Sequence, residues 1–496
     1  MKQSYRYLLK NAAILTLSNF SSKILVFLLV PLYTAALSTE EYGLYDLIIS
    51  TVQLLAPILT LNIASGVMRY SMDKSCDIRE VATIGMKYVS YGTAVFLILC
   101  IVCSRLPVAD SIRELTPYIF FYFVCYIFNE YFTQLAKGME RVKDMAVAGI
   151  GSTIVLFGGT LLLLLVWRRG IKGFLGAGIL SQAFAVFFLA LRLHIGKVLC
   201  RRRCGRELQK EIVMYSIPLI ITTIGWWVNN VLDKYAVAVI LGVGANGLLS
   251  VAYKIPGVMN VIQSVFMQAW HISAVREYGN EQAQYFYERM FVSIHLLMSC
   301  ACSILILLDR PLAHILYANN FYEAWQYAPF LLVASVLNTM SGFLGPLLSA
   351  AKNSAAMAKS GFYGTAVNVV LNFALIHFIG IQGAVIATVI SSFIIYWVRK
   401  NAVGEVLQVK RYYRVLLTWG LLCVQAAVEI WADSYMAEVV LAAGVVFLNR
   451  EFVWLIMKKY LVRACGERIG NGIYGNKNWK TISGSSGGYC TTLCGG

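Results

Sequence analysis

The chain has 496 residues, of which 59% are hydrophobic and 14% are charged, with a mean hydropathy of +0.67 and a formal net charge of +17. A soluble protein of this composition would expose more apolar surface than water tolerates, which excludes soluble enzymes and soluble nucleic-acid-binding proteins. The twelve cysteines are mostly single and lie within apolar runs, so they predict neither a disulfide framework nor a metal site. A polytopic α-helical membrane protein is the class that remains.

Apolar runs of about 20 residues, each long enough to cross a ~30 Å hydrocarbon layer, recur throughout the chain. They predict fourteen transmembrane helices joined by short loops, at 11–36, 43–68, 84–105, 116–137, 145–167, 171–193, 213–240, 247–272, 286–308, 325–350, 358–379, 381–400, 412–431 and 435–457. With the N-terminus inside, 32 of the 42 lysines and arginines fall on the inner side and six on the outer side. This positive-inside asymmetry predicts a multi-pass protein of the inner membrane with both termini in the cytoplasm.

Short motifs recur about 210 residues apart. GIKGFLGAGILS (170–181) and GIQGAVIATVIS (380–391) share the pairs Gly170/Gly380, Ile171/Ile381, Gly173/Gly383 and Ser181/Ser391, and EYGLY (41–45) shares its Gly-Leu pair with ANGLL (245–249). The repeat predicts two homologous six-helix lobes, 1–210 and 211–405, followed by two additional helices in 406–460 and a disordered cytoplasmic tail, 461–496. Six helices is an even number, so both lobes enter the membrane the same way up. Folds of this kind bind substrate between the lobes and transport it by rocking one lobe against the other.

Three further segments carry a resemblance to a known family: LAKGMERVKDMA (135–146), GLLSVAYKIPGVM (247–259) and LSAAKNSAAMAK (348–359). With the plan of twelve helices plus two, they resemble the polysaccharide flippases of the multidrug/oligosaccharidyl-lipid/polysaccharide exporter superfamily, over residues 8 to 457. The resemblance implies a MATE-like fold without a catalytic site. It implies that undecaprenyl-pyrophosphate-linked repeat units move to the outer leaflet for O-antigen, capsule or exopolysaccharide synthesis, with a polymerase or glycosyltransferases as candidate partners.

The chemistry of such a substrate indicates which residues should bind it. A pyrophosphate head group needs cationic side chains that face a hydrated cavity, because a charge that faces lipid costs several kcal/mol. The predicted anion contacts are Lys23 and Lys254, both near the middle of their helices, together with Lys234 and Arg69. Arg69 closes the second helix at its cytoplasmic end, where an ordinary interfacial anchor is the preferred explanation.

The segment WWVNNVLDKYAVAVIL (226–241) places four polar residues in an apolar helix. Asn229 and Asp233, like Asn230 and Lys234, are four residues apart, which predicts a narrow polar stripe that faces one way. Two interpretations of Asp233 stay open here. It either pairs with a lysine of a neighbouring helix and locks the second lobe, or it lines the cavity and gates transport by protonation.

Other polar residues inside the predicted helices are weaker candidates. Five amides are predicted to line the cavity: Asn19, Asn229, Asn230, Gln263 and Gln268. Three titratable residues are candidates for coupling to Na⁺ or H⁺: Asp233, Glu130 and His271. Thr365, Asn368 and Asn372 form a stripe that favours hydrogen bonds between helices. No cofactor is expected.

Two alternatives belong to the same superfamily: a cation-coupled multidrug antiporter and a lipid II flippase. The antiporter expels organic cations with acidic groups, and Lys23 has the wrong sign for that task. A membrane glycosyltransferase or polymerase would use acidic residues of an external loop, where Glu40, Glu41 and Asp46 are found. That loop is only a few residues long, and no large external loop follows it.

Overall fold

A computed structural model describes residues 23–105, 110–199, 205–432 and 434–450. The described part of the chain is almost entirely helical and contains no strand. Its helices occupy all fourteen predicted positions, and ten of them are long and apolar enough to cross a membrane on their own. The predicted all-α polytopic fold is therefore confirmed. We call the end of the bundle with the 37–38 connection the outer end, following the predicted orientation.

The helices of the first half are α1 (Lys23–Ala36), α2 (Thr39–Leu59), α3 (Ile63–Ser71), α4 (Ile78–Arg105), α5 (Asp110–Gly138), α6 (Val142–Thr160, continued by a π-helical turn over Leu161–Val166), α7 (Gly170–Arg192) and the short α8 (Ile195–Val198).

The second half comprises α9 (Arg206–Leu241), α10 (Val243–Ala252), α11 (Lys254–Arg276), α12 (Ala283–Leu307), α13 (Asp309–Leu316), a 3₁₀ segment (Asn319–Tyr327), α14 (Ala328–Ala350), α15 (Ser354–Ile379) and α16 (Ile381–Val403), and the two additional helices are α17 (Tyr412–Trp431) and α18 (Tyr435–Leu448).

The second and eighth predicted membrane helices are each divided in two. Between α2 and α3, Leu61 and Asn62 have φ angles of 53° and 49°, in the left-handed region, and this ends the first helical segment. Between α10 and α11 the interruption is at Tyr253, and Pro256 in the next turn has no N–H with which to bond the carbonyl of Ala252. The short helix α13 and the 3₁₀ segment before α14 were not predicted from the sequence.

The sequence repeat corresponds to a repeat of backbone structure. Gly170 and Gly380, which begin the two matching motifs, have φ angles of +54° and +65°, a conformation that favours glycine. Three residues later, a Cβ on Gly173 would lie 2.7 Å from the carbonyl oxygen of Leu163, and one on Gly383 would lie 2.6 Å from the backbone nitrogen of Ile376. In both halves, the motif therefore combines a glycine of positive φ with a second glycine at which the backbone of the preceding segment approaches closely.

The buried hydrophobic residues form two large clusters. One lies within residues 52–212 and contains Phe123 and Tyr131. The other is centred on α11 to α18 and contains Phe343 and Tyr396, and it also takes in Leu29 to Leu37 from the outer half of α1. The outer half of α1 therefore packs on the second half of the chain through buried hydrophobic residues at the outer end.

Candidate functional site

The two halves meet at the outer end, where α2 and α10 pack with their backbones in contact. A Cβ on Gly43 would overlap the carbonyl oxygen of Val243, and a Cβ on Gly247 would overlap that of Thr39. The two contacts are reciprocal, because residues 39 and 43 stand in the same relation to residues 243 and 247 in the repeat. Only glycine at both positions allows this approach.

One turn further into the membrane, an ion pair joins α2 to α9 and a hydrogen bond joins α2 to α10. Lys234 of α9 and Asp46 of α2 form an ion pair, with 2.9 Å between Nζ and Oδ1. Ser250 of α10 donates to the second carboxylate oxygen of Asp46 at 2.9 Å. We call Gly43, Asp46, Lys234, Gly247 and Ser250 the outer closure. Since these residues come from both halves, the bundle is closed at its outer end.

Helix α1 adds a second set of contacts to the closed end. The Thr34 hydroxyl donates to the carbonyl of Leu316 at 3.0 Å and accepts from the backbone N–H of Ala318 at 3.2 Å. The ring of Tyr33 stacks on that of Tyr42, with 4.7 Å between their centroids. These contacts tie the first helix to the connection after α13.

A further lysine, Lys254, lies next to Tyr42 of α2, near the two charged residues of the outer closure. Lys254 is half-buried, and its Nζ lies 5.7 Å from the centre of the Tyr42 ring. Among the described residues, no carboxylate lies within ion-pair distance of Lys254, whereas Lys234 is neutralised by Asp46. Lys254, Lys234 and Asp46 together therefore carry one positive charge in excess, whereas Asp233 is bonded to neutral donors of α15 and α16. Asp46 was assigned to an external loop, which is wrong: it lies within α2, and its side chain is 15% exposed.

The polar residues of α9 do not form one stripe, contrary to the prediction. Asp233 is 4% exposed and faces α15 and α16, where Asn372 donates to Oδ1 at 2.7 Å and Thr388 donates to Oδ2 at 2.5 Å. Tyr253 also donates to Oδ2, at 3.4 Å. Lys234, the next residue, faces α2 instead. The partners of Asp233 are neutral donors, so the interpretation that pairs it with a lysine is wrong.

The amides beside this centre link helices of the second half. Asn229 accepts a hydrogen bond from Thr365, and Asn368 donates to Ser391 at 3.4 Å. The predicted role of the α15 stripe in bonding between helices is therefore confirmed. Asn230 is exposed, and its side chain donates to the carbonyl of Trp226 at 2.7 Å.

The other predicted site residues are dispersed. Lys23, Arg69, Glu130, Gln268 and His271 have exposed side chains, and Gln263 is half-buried. The structure does not bring them into contact with the outer closure. Of the predicted anion contacts, all of which lie in the described part of the chain, Lys234 and Lys254 lie at the end of the bundle where α2 and α10 meet. Asn19 lies outside the described residues.

A profile of the family described as polysaccharide biosynthesis protein matches residues 8–272. Comparison with curated protein sequences gives no match. Among solved structures, the chain is similar to the lipid II flippase MurJ in an inward closed conformation, with a TM-score of 0.63 and 13% identity, over 90% of this chain and 100% of that one.

Two structures of multidrug resistance MATE family transporters of the MOP superfamily are also similar, both at 14% identity. The inward-facing one has a TM-score of 0.60 and covers 79% of this chain and 95% of its own. The outward-facing one has a TM-score of 0.55, and the coverages are 80% and 96%. At these identities the likeness shows the fold, which is that of MATE transporters and MurJ.

Proposed function

Because the chain belongs to the polysaccharide biosynthesis protein family, we propose that it is a flippase for undecaprenyl-pyrophosphate-linked repeat units. It moves them from the inner to the outer leaflet of the inner membrane, by alternating access, for O-antigen, capsule or exopolysaccharide synthesis. The residues 1–210 and 211–405 act as the two lobes that rock against each other. No bond of the substrate is made or broken, so the protein needs binding groups and two conformations rather than a catalytic residue.

The observation that carries this proposal is the excess positive charge on the inner side of the outer closure. Lys254 has no carboxylate partner in the described part of the chain, and it lies over the ring of Tyr42, which is one turn of α2 from Asp46, the partner of Lys234. A charge of this sign attracts a pyrophosphate and repels an organic cation, which a multidrug antiporter would have to bind. With the outer end closed, the head group enters from the inner side and meets Lys254 last.

In the same alternating-access cycle, Lys234 takes part in the release of the substrate to the outer leaflet. Opening the outer end separates α2 from α9 and breaks the ion pair with Asp46, so the second lysine becomes available to the pyrophosphate as the closure opens. The loss of one ion pair and the gain of a charge-assisted contact to phosphate offset each other. This exchange lowers the free-energy cost of opening when substrate is bound, and not when the site is empty.

Asp233 is the centre that we propose for the coupling ion. Its carboxylate lies beside the Thr388 hydroxyl and the Asn372 amide, and Asn372 Oδ1 is buried without a hydrogen-bond partner. Carboxylate, hydroxyl and amide oxygens are suitable ligands for Na⁺, and the carboxylate alone suits H⁺. Glu130 and His271, the other candidates, are exposed and lie in no comparable oxygen-rich centre among the described residues.

The experiment that tests the function measures head-group accessibility in proteoliposomes that contain a pyrophosphate-linked oligosaccharide. Wild-type protein should move the lipid, and Lys254→Ala should reduce the rate at least tenfold, while Lys254→Arg keeps part of it. Lys359→Ala, at an exposed lysine of α15, is the matched control and should leave the rate unchanged. Equal rates for wild type and Lys254→Ala would contradict the role of the site. Uptake of a cationic dye without lipid movement would identify a multidrug antiporter instead.

A further inference from the structure

A second group of charged residues lies at the outer end, away from the outer closure. Asp309 begins α13 and is fully buried, and Glu429 of α17 and Glu438 of α18 are each 3% exposed. We call these three residues the carboxylate cluster. Within the described residues, the cation beside them is Arg310, whose Nε lies 3.0 Å from Glu429 Oε1 and whose guanidinium stacks 4.4 Å from the centre of the Trp325 ring.

The charges of this group do not balance if every carboxyl is ionised. The charged and titratable groups that face Asp309 are Glu429, Arg310, Glu438 and Tyr317. One guanidinium would leave two negative charges uncompensated in a buried site, at a cost of several kcal/mol for each ion. Both carboxylate oxygens of Asp309 and Oε2 of Glu438 also lack a hydrogen-bond partner within the described residues.

A proton is the ligand that fits this arrangement. A protonated carboxyl removes one charge and supplies a donor, so two protons would neutralise the cluster with Arg310. Burial, followed by the nearby charge of Glu429, raises the pKa of Asp309 well above its usual range. In the described part of the chain, no group of three or more His, Cys, Asp or Glu side chains is arranged to hold a metal ion.

Helix α13 connects the cluster to the contact between the two halves. Its first residue is Asp309, and its last, Leu316, accepts the hydrogen bond from Thr34 of α1. Eight helical residues separate these ends by about 12 Å, so the helix is short enough to move as one rigid body. When α1 separates from the second half, α13 loses its contact at one end and Asp309 is displaced at the other.

We propose that the carboxylate cluster is a proton-binding site that is loaded while the outer end is closed and releases protons to the outside when α13 moves. Opening exposes the carboxyls to water, which favours their ionised form. By linkage, acid on the outer side then stabilises the closed state. The conformational part of this inference rests on the alternating access proposed above, and the proton site itself does not.

The first test detects the bound protons directly. Infrared spectra of the purified full-length protein at neutral pH should contain the carbonyl band of a protonated buried carboxylic acid, and Asp309→Asn or Glu438→Gln should remove part of it. Asparagine is close to isosteric with a neutral aspartic acid, so the variant should fold. The matched control is Glu323→Gln, at an exposed carboxyl of the 3₁₀ segment, which should not change the band. A band that is absent, or insensitive to both cluster variants, overturns the proposal whether or not the protein flips lipid.

A measurement with sodium distinguishes a bound proton from a bound Na⁺ ion. If Na⁺ at constant pH raises the thermal unfolding midpoint of the wild type and not of Asp309→Asn, the cluster binds a metal ion and the proton site is refuted. Equal responses to Na⁺ in both proteins support the proposal.

The second test measures the conformational link. Spin labels on Trp167 and Phe378, both exposed at the outer end in different halves, report the separation of the halves. When the pH rises by one unit, the ratio of closed to open protein should fall by up to about tenfold for every proton that opening releases. In Asp309→Asn the ratio should depend less steeply on pH. The same slope in both proteins would refute the link to α13.

Discussion

Replacing Gly43 by alanine should open the outer end. A methyl group at this position would overlap the carbonyl oxygen of Val243 and lie 2.9 Å from the backbone nitrogen of Gly247. Ordinary van der Waals contact needs about 3.4 Å or more, and both neighbours are backbone atoms that no rotamer change can move away. Helices α2 and α10 must therefore separate, which also lengthens the contact between Asp46 and Lys234.

The expected magnitude follows from the cost of overpacking. Extra methyl groups in a packed interior cost about 1–3 kcal/mol, and here the cost falls on the closed state alone, because α2 and α10 are apart when the outer end is open. The ratio of closed to open protein should fall between about 5-fold and about 150-fold. A protein that is closed 99 times in 100 would then be closed about 95% of the time at the smaller cost and about 40% at the larger. The gain in helix propensity from alanine acts on both states and leaves the ratio unchanged.

Distances between spin labels on Trp167 and Phe378 measure this ratio, in a background whose twelve cysteines are replaced by alanine. Gly247→Ala should produce the same shift, since its contact with Thr39 is the reciprocal one. Gly225→Ala is the control, because no atom lies within 4 Å of a Cβ at that position of α9. If Gly43→Ala gives the same distance distribution as Gly225→Ala, the backbone contact does not hold the outer end closed.

Three further results are expected. Asp46→Asn and Lys234→Met should each shift the label distances towards the open state. The double variant should shift them less than the two single variants combined, because neither charge is then left unpaired. Additive effects would refute coupling across the halves. Asp233→Asn should abolish the stimulation of lipid movement by a Na⁺ or H⁺ gradient while protein levels stay unchanged; unaltered stimulation would exclude it as the coupling centre. Because the pKa of Asp309 is raised, the native state holds a proton that the unfolded state releases. The free energy of unfolding should therefore fall by about 1.4 kcal/mol per pH unit as pH rises above about 4. Thermal unfolding of Asp309→Asn should depend less steeply on pH than that of the wild type.

The sequence was sufficient for the class and the helix positions, because hydropathy is a local signal. It was insufficient for the site, because contacts between the halves join residues about 200 positions apart. Asp46 illustrates the difference: nothing near it in the sequence indicates that Lys234 and Ser250 are its partners. Asp233 and Lys234 are adjacent, yet they face different helices. The i, i+4 spacing predicted one polar face where tertiary packing divides the residues between two.

The reciprocal glycine contact has the geometry of an isologous dimer interface, in which one surface binds a second copy of itself. A surface with this contact is self-complementary. Position 46 and its equivalent, position 250, now differ: one is an aspartate and the other a serine, and they bond to each other. Two aspartates would repel at this place, whereas an aspartate and a serine attract. The aspartate makes the surface asymmetric, and its charge is the one that Lys234 neutralises.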